Sequence, residues 1–152
     1  LLAKQIEAAN QLKRSFGVLY IDLDGFKNVN DTFGHAVGDA VLKAAAHRIQ
    51  GSVKSADIVA RLGGDEFIVL IPGVDRTRLA QVAQRILEAF REPIQAKGNQ
   101  CPVGTSIGIA QYPGDGRTDT ELLQQSDRAM YEVKSAGKNS YAFAADLQDP
   151  KQ

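Results

Sequence analysis

Ile58-Val-Ala-Arg-Leu-Gly-Gly-Asp-Glu-Phe-Ile-Val-Leu-Ile71 is the stretch that decides the fold. Ile58–Leu62 and Phe67–Ile71 are β-prone apolar runs, and Gly63, Gly64, Asp65 and Glu66 separate them. Two such runs joined by a glycine-opened turn predict a β-hairpin with its acids at the tip. Toward the N-terminus, Phe16–Asp24 carries Val18, Leu19, Tyr20 and Ile21 without alternation. A strand buried on both faces reads this way, and it runs directly into Asp22 and Asp24. Tyr20, inside the run, reads as core. If this strand lies beside the hairpin, Asp22 meets Asp65 and Glu66.

The remaining elements follow from periodicity and punctuation. Leu2, Ile6, Ala9 and Leu12 stand near helical spacing, so residues 1–14 read as a short amphipathic helix continuing from an upstream segment. Gly25, Asn28, Asn30, Asp31, Gly34 and Gly38 make the stretch after the first strand irregular or briefly helical at most. Val37, Val41, Ala44, Ala45 and Ile49 predict a helix closing near Gly51. Leu79, Val82, Ala83, Ile86, Leu87 and Phe90 predict another, with Pro93 beyond its end. A strand is expected around Val103–Ala110, and Pro113, Gly114 and Gly116 mark a turn. Thr118 with Glu121 is a capping box opening a helix through Leu122, Ser126, Met130 and Val133, which Gly137 ends. Ser140–Ala144 reads as a last short strand. The order α, β, α, β, β, α, β, α, β predicts an α+β fold, a mixed and mostly antiparallel sheet with helices on its faces. One domain over residues 15–145 is expected, with 146–152 as a frayed tail or linker.

The chain has 152 residues, with 18 Lys plus Arg against 18 Asp plus Glu. A chain of this length buries roughly 68–70% of its unfolded surface, enough for one ample core. Balanced charge argues against a general nucleic-acid binder. A single cysteine, Cys101, excludes an internal disulfide and a cysteine zinc site, and fits a reducing compartment. Cys101 and Met130 read as packing residues, and His47 as a surface or core-edge residue. The apolar runs are too short to span a bilayer, and no stretch reads as a signal peptide. The chain starts at Leu1 and not at Met, as a piece cut from something longer would. A cytoplasmic domain is expected, whatever anchors its parent.

Converging carboxylates raise each other's pKa unless a cation compensates them. Oxygen donors without nearby His or Cys suit Mg²⁺ or Mn²⁺ better than zinc. Acids at strand ends and turn tips are otherwise solvated turn formers. For Asp24 both readings stand, whereas Asp22 with Asp65 and Glu66 together favours the metal. No GxxxxGKS/T loop and no GxGxxG element occurs, so P-loop and dinucleotide-fold readings fail.

Arg61-Leu-Gly-Gly-Asp-Glu-Phe67 resembles the signature of the GGDEF domains, the diguanylate cyclases. Asp22-Leu-Asp-Gly-Phe-Lys-Asn-Val-Asn-Asp31, Gly34-His35 and Gly38-Asp39 resemble their second signature. Ser106-Ile-Gly-Ile-Ala110 and Lys134-Ser-Ala-Gly-Lys-Asn139 follow in the family's order, so the resemblance covers nearly the whole chain. It implies the nucleotidyl cyclase and polymerase palm fold, and a reaction joining two GTP into cyclic di-GMP with release of two pyrophosphates.

By the same resemblance, Asp22, Asp65 and the Leu23 carbonyl would hold two Mg²⁺ or Mn²⁺ ions per half-site. Glu66 would join them or activate the attacking 3′-hydroxyl. Asn30 and Asp39 match the pair that reads guanine. A carboxylate accepts from guanine N1–H and its amine, which adenine cannot satisfy. An acid complementing a helix dipole is the alternative for Asp39. Lys27, Lys134 and Lys138 match triphosphate contacts, the last often Arg in the family, and amides around Gly25, Phe26 and Lys27 form an anion nest. His35 orders the loop. Catalysis then needs a transient homodimer, each 3′-hydroxyl facing the other GTP's α-phosphorus.

Where many relatives carry an RxxD product-inhibition site, this chain has Lys54-Ser-Ala-Asp57. Lysine neither stacks on guanine nor grips phosphate bidentately, so feedback inhibition is expected to be weak. The rival to an active cyclase is a catalytically silent GTP-binding module in a larger protein, with an upstream sensor or in tandem with a cyclic di-GMP phosphodiesterase domain. The Tyr112-Pro-Gly-Asp-Gly116 turn resembles members found in such tandems.

Overall fold

Nine-residue strand β1 (Phe16–Asp24) holds the molecule together. A computed structural model describes residues 2–12, 14–73 and 75–147. β1 pairs antiparallel with β3 (Glu66–Pro72) on one side and with β6 (Gly104–Tyr112) on the other. β2 (Ile58–Gly63) and β7 (Tyr141–Phe143) complete a five-stranded sheet of order β2-β3-β1-β6-β7, in which β6 and β7 run parallel and the other pairs antiparallel. The expected mixed, mostly antiparallel sheet is therefore present.

Both faces are covered, which explains the unbroken apolar run in β1. Leu19, Ile21 and Leu23 join one core with α2 (Phe26–Phe33), α3 (His35–Gly51) and α4 (Arg76–Ala89). Val18, Leu70 and Ala110 join a second core with α1 (Leu2–Leu12) and α5 (Asp119–Ser135). Strand residues alternate between these layers. Asp75 caps α4 by accepting the Arg78 N–H at 2.9 Å. Thr118 caps α5 by accepting the Glu121 N–H at 3.1 Å, as the capping box predicts. Cys101 and Met130 are packed in the interior, and His47 is exposed.

Four expectations need correcting. Residues 25–38 take the helical alternative, and more of it than expected: left-handed Gly25 (φ 86°) starts the eight-residue α2, which buries Phe26 and Val29 one turn apart. Gly34 (φ 89°) then breaks the chain between α2 and α3, so His35 opens a helix and does not order a loop. The hairpin turn is shorter than expected: β2 reaches Gly63 through a bulge after Arg61, leaving Gly64 and Asp65 in the turn and Glu66 on β3. A small hairpin, β4 (Ile94–Ala96) with β5 (Asn99–Cys101), was not expected; Lys97 (φ 48°) and Gly98 (φ 81°) form its left-handed turn. Ala144–Asp146 make a 3-10 turn, and residues 148–152 of the expected tail lie outside the described residues.

One glycine decides where α5 sits. A Cβ on Gly108 of β6 would stand 1.9 Å from the Ser126 carbonyl oxygen and 2.3 Å from the Met130 nitrogen. The α5 backbone therefore lies directly on β6, a contact that no side chain allows. This carries the far end of α5 over the C-terminal end of β1.

Candidate active site

The face of β1 that begins in core at Val18 turns polar at Tyr20 and Asp22. Asp22 stands opposite Glu66 across the β1–β3 pair. The turn is fixed to the strand end by the Leu23 N–H, which donates to the Asp65 carbonyl at 3.1 Å. Arg61 Nε braces the same turn by donating to the Gly64 carbonyl at 2.8 Å. Asp22, Asp65 and Glu66 are thus neighbours, as the sequence predicts.

Lys134, near the end of α5, places its ammonium 2.6 Å from Asp22 Oδ2 and 3.5 Å from Asp24 Oδ1. Burial pushes the Asp22 carboxyl above its ordinary range; the Lys134 contact opposes this, and the Asp65 charge adds to it. Burial draws the Lys134 ammonium down, but Asp22 and then Asp24 outweigh it and hold it above its ordinary value.

Among the described residues, no three His, Cys, Asp or Glu side chains already form a ligand cluster. The donor set nevertheless suits a hard divalent cation. Asp22 Oδ1 is buried without a hydrogen-bond partner, and the Lys134 ammonium occupies the position of a stand-in cation on the other oxygen. A buried carboxylate oxygen left unpaired is costly unless a ligand completes it.

Asp24 is buried and bonded within the protein, so it is not a solvated turn former. Its oxygens accept from Ser106 Oγ at 2.9 Å and from the Asn139 N–H at 3.0 Å. This carboxylate ties β1, β6 and the turn after α5 together. Lys138 (φ 67°) and Asn139 (φ 55°) are left-handed in that turn, a conformation such residues keep only when their surroundings impose it. Tyr20 also departs from its reading as core. It is half-buried, and its hydroxyl donates to Glu66 Oε2 at 2.7 Å. A tyrosine inside an apolar run carries no sequence signal for this contact. The Ser106 segment, by contrast, stood out in the sequence by its resemblance, without a role.

The other expected residues sit around this centre. Asp39 lines a cleft of about 360 Å³ with Leu42, Lys43, Val59, Arg61 and Phe67. It lies within α3, past its first turn, so dipole compensation does not explain it. Asn30 rests against α3, where a Cβ on Gly38 would fall 1.8 Å from its Oδ1. Lys27 is exposed on α2, whose N-terminus has no side-chain cap, so the first amides after Gly25 and Phe26 are left for an anion. Lys138 lines a separate cleft of about 410 Å³ with Asp24, Arg91 and Asn139. Asp57, distant in role, accepts from the Lys54 N–H at 2.8 Å and from Arg78 at 3.4 Å.

Comparison with known proteins gives the chain its relatives. The family profile described as "Diguanylate cyclase, GGDEF domain" matches residues 1–140. The chain is 44% identical over 142 residues to the bifunctional diguanylate cyclase/cyclic di-GMP phosphodiesterase MucR of Pseudomonas aeruginosa, covering 93% of this chain and 21% of that protein. It is 40% identical to diguanylate cyclase TpbB of the same organism, covering 99% of this chain and 35% of TpbB. The crystal structure of the TpbB GGDEF domain superimposes with a TM-score of 0.90 at 39% identity, covering 97% of this chain and 92% of that one. The chain thus spans about a fifth to a third of the length of these curated relatives.

Proposed function

Since the chain belongs to the GGDEF family of diguanylate cyclases, we propose that it condenses two GTP molecules into cyclic di-GMP and releases two pyrophosphates. The observation that carries this reading is the buried, unpaired Asp22 Oδ1 beside Asp65 and Glu66. Asp22, Asp65 and the Leu23 carbonyl would hold Mg²⁺ or Mn²⁺, with Glu66 at the edge of the set. When bound, two such ions neutralise the triphosphate and favour the ionised 3′-oxygen.

The chain's own residues do the rest. Asp39 and Asn30 accept and donate along the guanine edge, and orient the nucleotide. Lys134, released from Asp22, joins Lys27, Lys138 and the amides at Phe26 and Lys27 on the phosphates. Glu66, on the metal-binding edge, helps ionise the 3′-hydroxyl, whose proton leaves to solvent. That oxygen attacks the α-phosphorus of the GTP held by a second copy, and the bond to the β-phosphate breaks. Each chain supplies half of the reacting pair, so a transient homodimer supplies the alignment. The domain works in the cytoplasm, where GTP is available.

A second reading has one observation behind it: NbdA of Pseudomonas aeruginosa, 35% identical over 130 residues that make up 17% of that protein, is named as a cyclic di-GMP phosphodiesterase alone. In such a setting this domain would bind GTP and regulate a phosphodiesterase without turnover. Incubating the chain at high concentration with GTP and Mg²⁺, followed by chromatography for cyclic di-GMP, separates the two. Product that disappears in Asp65→Ala supports the cyclase. GTP binding without product, even after forced dimerisation, supports the regulatory module.

A further inference from the structure

Tyr20 lies between Val18 and Asp22 on the face of β1 that meets α5. It stands opposite Ile68 on β3 and Gly108 on β6, and its hydroxyl reaches diagonally to Glu66 Oε2 at 2.7 Å. Gly108, directly opposite on β6, contributes no side chain against the ring. Tyr20 and Glu66 are both half-buried, so water could satisfy either group. The direct bond therefore does something that burial does not demand: it removes rotamer freedom from a carboxylate with three rotatable bonds. We propose that Tyr20 is a positioning residue, holding Glu66 by Oε2 so that Oε1 serves the metal-binding edge it shares with Asp22. A phenol keeps its proton at neutral pH, so in this pair Tyr20 donates and the Glu66 carboxylate accepts. Groups that orient metal ligands in this way tune both affinity and rate.

The proposal rests on the cyclase reading for its metal, so its test reads metal binding apart from turnover. Mn²⁺ uptake by the 152-residue chain is measured by electron paramagnetic resonance with a non-reacting GTP analogue. Product formation is followed separately against Mg²⁺ concentration. Tyr20→Phe keeps the ring, and its melting temperature is expected within about 4 °C of wild type. Its Mn²⁺ affinity is expected to fall about tenfold, with kcat falling similarly and the KM for GTP unchanged. In a Glu66→Gln background the same change is expected to add nothing further. Glu66→Asp, which keeps the charge but withdraws it from the hydroxyl, is expected to show the same loss of Mn²⁺. Wild-type Mn²⁺ affinity in Tyr20→Phe or in Glu66→Asp, or equal losses in both Glu66 backgrounds, overturns the assignment. If wild type makes no product while Tyr20→Phe still loses Mn²⁺, the cyclase reading falls and the positioning role stands. A wild-type chain that takes up no Mn²⁺ sinks both.

Discussion

Lys134 Nζ lies 2.6 Å from Asp22 Oδ2, so a residue of the last long helix neutralises the acid at the end of the central strand. The same ammonium cannot hold a phosphate while it stands there. On the proposed reading, metal and phosphate binding would be coupled: a cation taking over Asp22 would free Lys134 for the triphosphate.

This arrangement sets a prediction for Asp22→Asn. Folding raises the Asp22 pKa, chiefly through burial. A raised carboxyl pKa means that the folded state binds a proton more readily than the unfolded state. Its contribution is most favourable below the ordinary carboxylate range, and is lost as pH rises through the raised value. At neutral pH without metal, Asp22→Asn is therefore expected to raise the melting temperature by about 2–4 °C, while abolishing cyclic di-GMP synthesis. The advantage should shrink as pH falls toward 4 (about the ordinary carboxylate value). Thermal melts of both proteins across that range, in the presence of a chelator, check it. A stability gap that does not change with pH would contradict the assignment.

Asp39→Ala tests nucleotide choice. The carboxylate lines the cleft beside α3 and offers acceptors that suit guanine. Losing charge-assisted hydrogen bonds costs about 1.5–3 kcal/mol each, so GTP affinity should fall roughly 10- to 100-fold. ATP affinity should hardly change, which calorimetric titration with both nucleotides would reveal. An equal loss for both would make Asp39 a structural residue.

Two glycines separate stability from binding. Alanine at Gly108 would press its methyl into the Ser126 and Met130 backbone, where nothing can rotate away. The expected cost is about 3 kcal/mol, near the upper end for overpacking, with Lys134 displaced as α5 lifts. Alanine at Gly38 collides with the Asn30 amide, a side chain that can swing aside, and meets Phe26 Cζ at an ordinary 3.5 Å. Gly38→Ala should leave the melting temperature nearly unchanged and raise the KM for GTP. Melting curves and steady-state kinetics on the two variants should diverge in this way; a Gly38→Ala chain with unaltered KM would remove Asn30 from the nucleotide site.

Product feedback is expected to be weak. Lys54 replaces the arginine of the inhibitory motif, and the Asp57 side chain is 2% exposed, already taken by Arg78 and the Lys54 amide. Synthesis followed in the presence of low micromolar added cyclic di-GMP should proceed at an undiminished rate. Clear inhibition in that range would show that another surface replaces the missing arginine.

Much of this architecture is legible in the residues themselves. Glycine punctuation and apolar runs mark the hairpin, and Thr118 with Glu121 marks the start of α5. The acids at 22, 65 and 66 stand out because charge at the end of a buried strand demands a partner. Other parts are set by tertiary contact. Helix α2 is polar and only eight residues long, and it folds because Phe26 and Val29 find the core. The three-residue strands β4 and β5 are too short to show a period. Tyr20 is indistinguishable from its apolar neighbours until β3 brings Glu66 alongside it. Asp24 gives no sign of its internal bonds until Ser106 and Asn139 arrive from 82 and 115 residues away.

β1 has a bonded strand along each edge, and Asp22 lies near its end. Its amides can reach solvent deuterium only when the entire sheet comes apart, so exchange at Ile21 should be among the slowest in the molecule. Asp22 therefore has no private way to fray. The carboxylate persists for as long as the domain does, and adjustment at its side falls to the Lys134 side chain, which a rotamer change can withdraw from Asp22.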